Sequence, residues 1–117
     1  MTKRELKDYL EDILETLLII ETFTEDLTFD SFVNDKKTLF AINHAIERIG
    51  EATKNIPENI RVKYPHIKWK GLTGMRDKII HYYFGINYQI VWDTIKKDLP
   101  TLKPVIKDIL KSFNTSV

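Results

Sequence analysis

An all-α fold, built as an antiparallel helical bundle, is predicted for this chain by three observations. Apolar residues recur at spacings of three and four along most of its length. No stretch holds the strict apolar–polar alternation of a half-buried strand. Only four glycines and four prolines interrupt 117 residues, so long helices are open to the backbone. The length is that of a single domain, residues 1–117, able to bury roughly two thirds of the surface its unfolded chain exposes.

The elements follow in order. Leu6, Leu10, Ile13, Leu17, Ile20 and Leu27 form one stripe between charged residues, which predicts a long amphipathic helix over 3–27. Its near-heptad pattern favours antiparallel packing against a second helix of the same habit at Leu39, Ile42, Ile46 and Ile49. In the connector TFDSFVNDKK, Asp30, Ser31, Asn34 and Asp35 are turn and N-cap residues, while Phe29 and Phe32 are expected to fold back onto the core. The second helix should run through GEATKN until Pro57 stops it. PENIRVKYP reads as one short helix, with Pro57 in its first turn and Pro65 closing it. Leu72, Met75, Ile79 and Tyr82 or Tyr83 then recur at helical spacing, with Gly85 as a stop. Asn87 can cap the run holding Ile90, Val91, Trp92 and Ile95. Pro100 is expected to break or kink the chain before a last amphipathic segment of Leu102, Val105, Ile106, Ile109, Leu110 and Phe113.

Composition narrows the function. At 43% hydrophobic and 30% charged residues the chain has the balance of a soluble globular domain, neither disordered nor fibrous. No apolar run approaches the ~18 residues of a membrane span, and MTKRELKDYLEDI is too charged for a signal peptide, so a cytoplasmic protein without a membrane partner is expected. The absence of cysteine excludes disulfides, thiolate nucleophiles and sulfur-ligated zinc. Net charge of +1 hides an asymmetry: residues 1–60 carry 7 Lys+Arg against 13 Asp+Glu, a balance of −6, and residues 61–117 carry 11 against 4, a balance of +7. Between Arg61 and Lys78 six basic residues (Arg61, Lys63, Lys68, Lys70, Arg76, Lys78) face one acid, Asp77. Such a segment can attract a phosphate-bearing partner, or can simply pair with the acidic first half between helices.

Polar chemistry concentrates in MRDKIIHYYFG, residues 75–85. On a helix advancing about 100° per residue, Asp77 and His81 are neighbours, whereas Arg76 and His81 diverge by about 140°. Asp77 can accept a hydrogen bond from one ring nitrogen of His81, fixing the tautomer and leaving the other nitrogen for chemistry. Tyr83 returns almost to the azimuth of Arg76 two turns along, about 10 Å away. Arginine suits phosphate because its planar fork binds two oxygens, and histidine suits proton transfer because its pKa lies near neutrality. Spacing alone leaves two readings open: a site that grips a phosphodiester, or an interhelix ion pair at Arg76 beside a satisfied, half-buried His81. The divergent azimuths favour a homodimer in the first case, with a second copy of the helix completing a shared cleft.

Other polar residues carry less. His44 should flank the core stripe, and His66 follows Pro65 in a loop with no second ligand at metal spacing. Glu47 and Glu51 are four residues apart but lack the Glu-x-x-His companions of bundle metal sites, so no metal and no cofactor is expected. Trp69 and Trp92 read as core or interface anchors, although Trp69 stands between Lys68 and Lys70. GLTG lacks the lysine and hydroxyl of a phosphate-binding loop.

Arg76, four residues, His81, one residue and Tyr83 resemble the signature of the HepT-like toxins of the HEPN superfamily, helical partners of minimal nucleotidyltransferase antitoxins. YLEDILETLLIIETFT, IERIGEATKNIP and WKGLTGMRDKIIHYYFGINYQIVWDTIKKDLPTL extend the likeness along nearly the whole chain, and Asp77 matches the polar residue that follows the arginine in that pattern. The resemblance implies a HEPN-like four-helix core with short extra helices. It also implies a metal-independent endoribonuclease toxin acting as a homodimer, in which Arg76 holds the scissile phosphate and His81 serves as acid or base during attack by the 2′-hydroxyl. Neutralisation would come from a nucleotidyltransferase partner that attaches AMP to Tyr83, beside Arg76; Tyr82 is the chemical alternative. Lys68, Lys70 and Lys78 are candidate RNA contacts. Two other readings stay open: a dimeric interaction module that is modified but hardly cuts RNA, and a plain structural bundle.

Overall fold

The structure, a computed structural model, describes residues 1–81 and 85–114, without the side chains of residue 76, residues 78–81 and residue 114. It is all-α, and no strand occurs among the described residues. Four longer helices, α1 (Lys3–Thr24), α3 (Lys36–Lys54), α5 (Trp69–His81) and α7 (Leu99–Asn114), are joined by the short α2 (Phe29–Val33), α4 (Glu58–Arg61) and α6 (Tyr88–Asp93).

The predicted stripes are the core. Leu10, Ile13, Ile42, Leu102 and Ile106 have no measurable exposure, and Leu6, Leu17, Ile20, Ile46, Ile49 and Ile109 are buried with them. Burying each such side chain contributes about 1.5–3 kcal/mol, which is what orders helices too short to hold by themselves. α3 lies in the middle, packed against both α1 and α5, and α1 packs against α7 on its other side. Side-chain contacts set the directions. Arg48 pairs with Asp12 across the α1–α3 hairpin. Lys103 Nζ sits 3.0 Å from the Glu21 carboxylate and Lys96 donates to the Thr24 carbonyl at 3.2 Å, so α7 runs antiparallel to α1. Lys54 beside Asp77 and Asn43 on Tyr88 put α5 and the start of α6 antiparallel to α3.

Three boundaries differ from the sequence expectation. α1 ends at Thr24, before Leu27, because the Thr24 carbonyl accepts from Leu27 N–H and Lys96 Nζ while Thr28 N–H donates to the Ser31 hydroxyl. Leu27 packs on the core from outside the helix. The connector is not only turns: Thr28 and Ser31 cap each other reciprocally and start the five residues of α2, which carries Phe32 to complete burial. At Pro100 the chain does not break. Residues Thr94–Asp98 form a π-helical turn, with Leu99 N–H donating to Thr94 O, that leads from α6 directly into α7. Pro100 has no N–H to continue the ladder and its ring crowds the turn before it, and the wider π-helical turn accommodates both, so the helix runs on through it. Pro104 lies inside α7 as well.

Caps fall where residue chemistry predicts. Asn87 Oδ1 accepts from Gln89 and Ile90 N–H to begin α6. Asp35 begins α3, accepting Thr38 N–H at 3.2 Å and the Thr38 hydroxyl at 2.7 Å. The hydrogen bond from the Thr38 side chain, with help from backbone N–H groups, lowers the Asp35 pKa below its ordinary 3.8. A carboxyl depressed in the folded state stabilises above the unfolded value and loses that contribution as pH falls through the folded one. Asp35→Ala is therefore expected to lower the thermal midpoint at neutral pH. Asp35→Asn, which keeps a capping oxygen, should hold the midpoint there but soften the decline on acidification. Thermal scans down a pH series read both, and an unchanged acid limb in Asp35→Asn would contradict the assignment.

Candidate functional site

The site helix is anchored from its N-terminal end. Trp69 is buried, and its indole N–H donates to the Tyr64 carbonyl at 3.2 Å. Arg61 reaches back to the end of α3, donating from Nε to Ile56 O at 2.9 Å, just past the helix, and from Nη2 to Thr53 O at 2.7 Å, which also accepts from Ile56 N–H. Its guanidinium lies 5.9 Å from the Trp69 ring centroid, a cation–π distance that clamps the α4–α5 corner. Tyr64 itself donates to Asp108 at 2.6 Å; that hydrogen bond, then burial, raises its pKa above 10.0 and ties the corner to α7. Leu72 and Met75 turn one face of α5 onto the core. The helix begins three residues before Leu72, the first apolar position that periodicity assigned to it, because Trp69 and not Leu72 is its first buried anchor.

Beyond Met75 the backbone stays helical through His81, so Arg76, Asp77, Lys78 and His81 share one unbroken helix. The side chains of Arg76, Lys78 and His81 lie outside the described residues, as do Tyr82 and Tyr83 entirely. Asp77 is described: its carboxylate stands 3.9 Å from Lys54 Nζ, with both side chains nearly half exposed. A pair this exposed contributes little to stability, but it fixes which side of α5 faces the end of α3. Lys68 and Lys70 are exposed at the start of α5, and Lys68 Nζ lies 3.6 Å from Asp98 at the end of the π-helical turn.

The remaining histidines and tryptophans are accounted for. His44 is exposed on α3, and His66 is exposed in the loop with its ring edge toward Tyr64. Among the described residues no group of three or more His, Asp or Glu side chains forms a metal-sized cluster. Trp92 packs against Phe29 and Phe32 with Lys96 above its ring, so both tryptophans are anchors and not stacking platforms. No helix among the described residues is long and apolar enough to cross a membrane.

Two residues near the site were not singled out by their sequence context. Arg61 counted only as one charge in a basic run, although it holds the corner from which α5 starts. Asn43 donates its amide to the Tyr88 hydroxyl at 3.1 Å, while its buried Oδ1 has no hydrogen-bond partner. Both act across gaps in sequence that periodicity does not read.

Comparison with known proteins adds relatives to this geometry. A family model described as HepT-like, Ribonuclease HepT-like, matches residues 13–109. The chain is 48% identical over 113 residues to a Methanocaldococcus jannaschii protein named as a candidate RNase, covering 93% of each chain. It is 48% identical over 109 residues to a protein of Thermococcus cleftensis named as a candidate ribonuclease HepT, covering 93% of this chain and 99% of the relative. Another M. jannaschii protein named as a candidate RNase is 47% identical over 113 residues, 97% of both chains. No solved structure matches the chain.

Proposed function

The chain belongs to the HepT-like ribonuclease family, and on that footing we propose that it is the toxin of a toxin–antitoxin pair, an endoribonuclease that cuts RNA without a metal ion. One observation carries the reading: in a chain whose relatives are named as ribonucleases, Arg76 and His81 stand on one continuous helical backbone. In the proposed reaction Arg76 grips two oxygens of the scissile phosphate through its fork. The 2′-hydroxyl attacks phosphorus and gives up its proton, the bond to the 5′-oxygen of the next nucleotide breaks, and that oxygen receives a proton. His81 serves in these proton transfers, leaving a 2′,3′-cyclic phosphate and a 5′-hydroxyl. Asp77 orients the imidazole; a carboxylate has about four lone-pair sites, so its contact with Lys54 is compatible with accepting from His81 as well.

Helical geometry supports a homodimer, since residues five apart diverge by about 140° and one helix cannot present both groups to the same phosphate. Lys78, together with Lys68 and Lys70, supplies positive charge for the RNA backbone. Control falls to a nucleotidyltransferase that transfers AMP to Tyr83, placing a bulky anion next to Arg76.

The test is one preparation in two states. The purified chain, with chelator present, is expected to cleave single-stranded RNA to cyclic-phosphate ends. The same chain co-expressed with a nucleotidyltransferase partner is expected to gain the mass of AMP on Tyr83 and to lose cleavage. Intact RNA in the first state overturns the ribonuclease reading, and an unmodified, still active chain in the second overturns the control.

A further inference from the structure

Between α4 and the first turn of α5 lies an open concavity of about 460 Å³, within the range of small-molecule sites. Val62, Pro65 and Ile67 give it an apolar floor, and Val62 is left 61% exposed. Arg61, Lys68 and Lys70 line it as well. Glu58 is the acid among the lining residues, so three cations outnumber one carboxylate.

Arg61 makes this more than a basic patch. A guanidinium has five N–H donors, and two of them go to Ile56 O and Thr53 O. Those bonds and the Trp69 ring hold the group in place, while the remaining three donors have no protein acceptor among the described residues. A fork held in advance loses little freedom when it grips an anion. Lys68 is 76% exposed in its pairing with Asp98, which makes that partner easy to exchange. The concavity thus offers a guanidinium held in place and exposed ammonium groups for phosphate, together with apolar side chains against which a flat ring can lie. Single-stranded nucleic acid sites combine a positively charged groove with aromatic faces for the bases; here the aliphatic Val62, Pro65 and Ile67 take the place of the aromatic face.

We propose that this concavity is a second RNA subsite, which holds one unpaired nucleotide flanking the cleavage point, its base on Val62 and Pro65 and its phosphate at Arg61, Lys68 and Lys70. The proposal rests on the ribonuclease reading for its substrate. Along α5, Lys70 precedes Arg76 by six residues, about 9 Å of rise and about 120° of azimuth, so a strand that joins the two places wraps part of the way around the helix. The subsite positions the strand and takes no part in the chemical step.

Binding of a short fluorescent single-stranded RNA to the full chain, followed by anisotropy over a salt series, tests it. The Lys68→Ala/Lys70→Ala double variant is expected to bind at least several-fold more weakly, with the slope of log affinity against log salt shallower by about 0.7, because the one phosphate held in the subsite is no longer neutralised by the protein. Val62→Ser is expected to weaken binding several-fold at unchanged slope, and an oligonucleotide with abasic sites should not distinguish it from the parent. All three positions are exposed, so the variants should fold. Unchanged affinity and slope in both variants overturn the subsite. So does an unchanged RNA affinity with weakened binding of a nucleotidyltransferase, which would make the concavity a protein docking face. A parent chain that binds RNA here but never cuts it overturns the ribonuclease reading and supports the subsite. A chain that cuts RNA with KM unmoved by these substitutions does the reverse.

Discussion

His81→Ala is expected to slow RNA cleavage by roughly 10²- to 10⁴-fold, the range general acid–base catalysis usually contributes, while helix content and thermal midpoint stay near the parent's. Catalysis here has two separable needs. In the proposed mechanism the phosphate must be held and its developing charge met, the task assigned to Arg76, and two protons must move, the task assigned to His81. Alanine at 81 removes the proton carrier but leaves phosphate binding, so kcat should fall far more than KM rises. Arg76→Lys makes the complementary case: charge is kept, the two-oxygen fork is lost, and weakened transition-state binding should appear with the pH profile intact. Single-turnover cleavage of a defined RNA across a pH series measures both. Equal rates in the parent and His81→Ala would remove the histidine from the mechanism.

Phe32→Ala is expected to destabilise the fold by about 3–5 kcal/mol, the usual cost of emptying a large buried aromatic site. The ring is fully buried, 4.9 Å from Trp92 and 6.3 Å from Tyr88 between centroids. α2 has only five residues, too few to persist on local hydrogen bonds, so it exists because this ring docks between α3 and α6. Loss of the ring should also loosen Tyr88, whose hydroxyl holds Asn43 on α3. Phe40, at 63% exposure, is the control: Phe40→Ala should stay within about 0.5 kcal/mol. Urea unfolding gives both values, and a loss below about 1 kcal/mol at Phe32 would show that α2 docks by other means.

Much of the fold was readable because its signals are local. Stripes on α1, α3 and α7 became the core, and Asp35 and Asn87 cap as their side chains require, since a cap reads only three or four neighbouring residues. The helix that carries the candidate site residues was readable for the same reason. Arg76, Asp77 and His81 stand close together in sequence, and the regular advance of a helix converts that spacing into direction. What local reading missed depends on distant partners. The stripe on α1 did not show that Lys96 would take the Thr24 carbonyl, nor did a proline at 100 show that a widened turn would absorb it.

By itself the sequence determined an all-α bundle, its apolar faces and the helix that carries Arg76, Asp77 and His81, because propensity, periodicity and residue chemistry act within a few turns of the chain. Tertiary structure alone decided that Arg61 would brace the start of α5, that Phe32 would draw a helix out of a connector, and that a basic concavity would open beside Trp69. Each of these needs groups from separate elements to meet. Such meetings are set by how helices share a common core, which no single stretch of residues encodes.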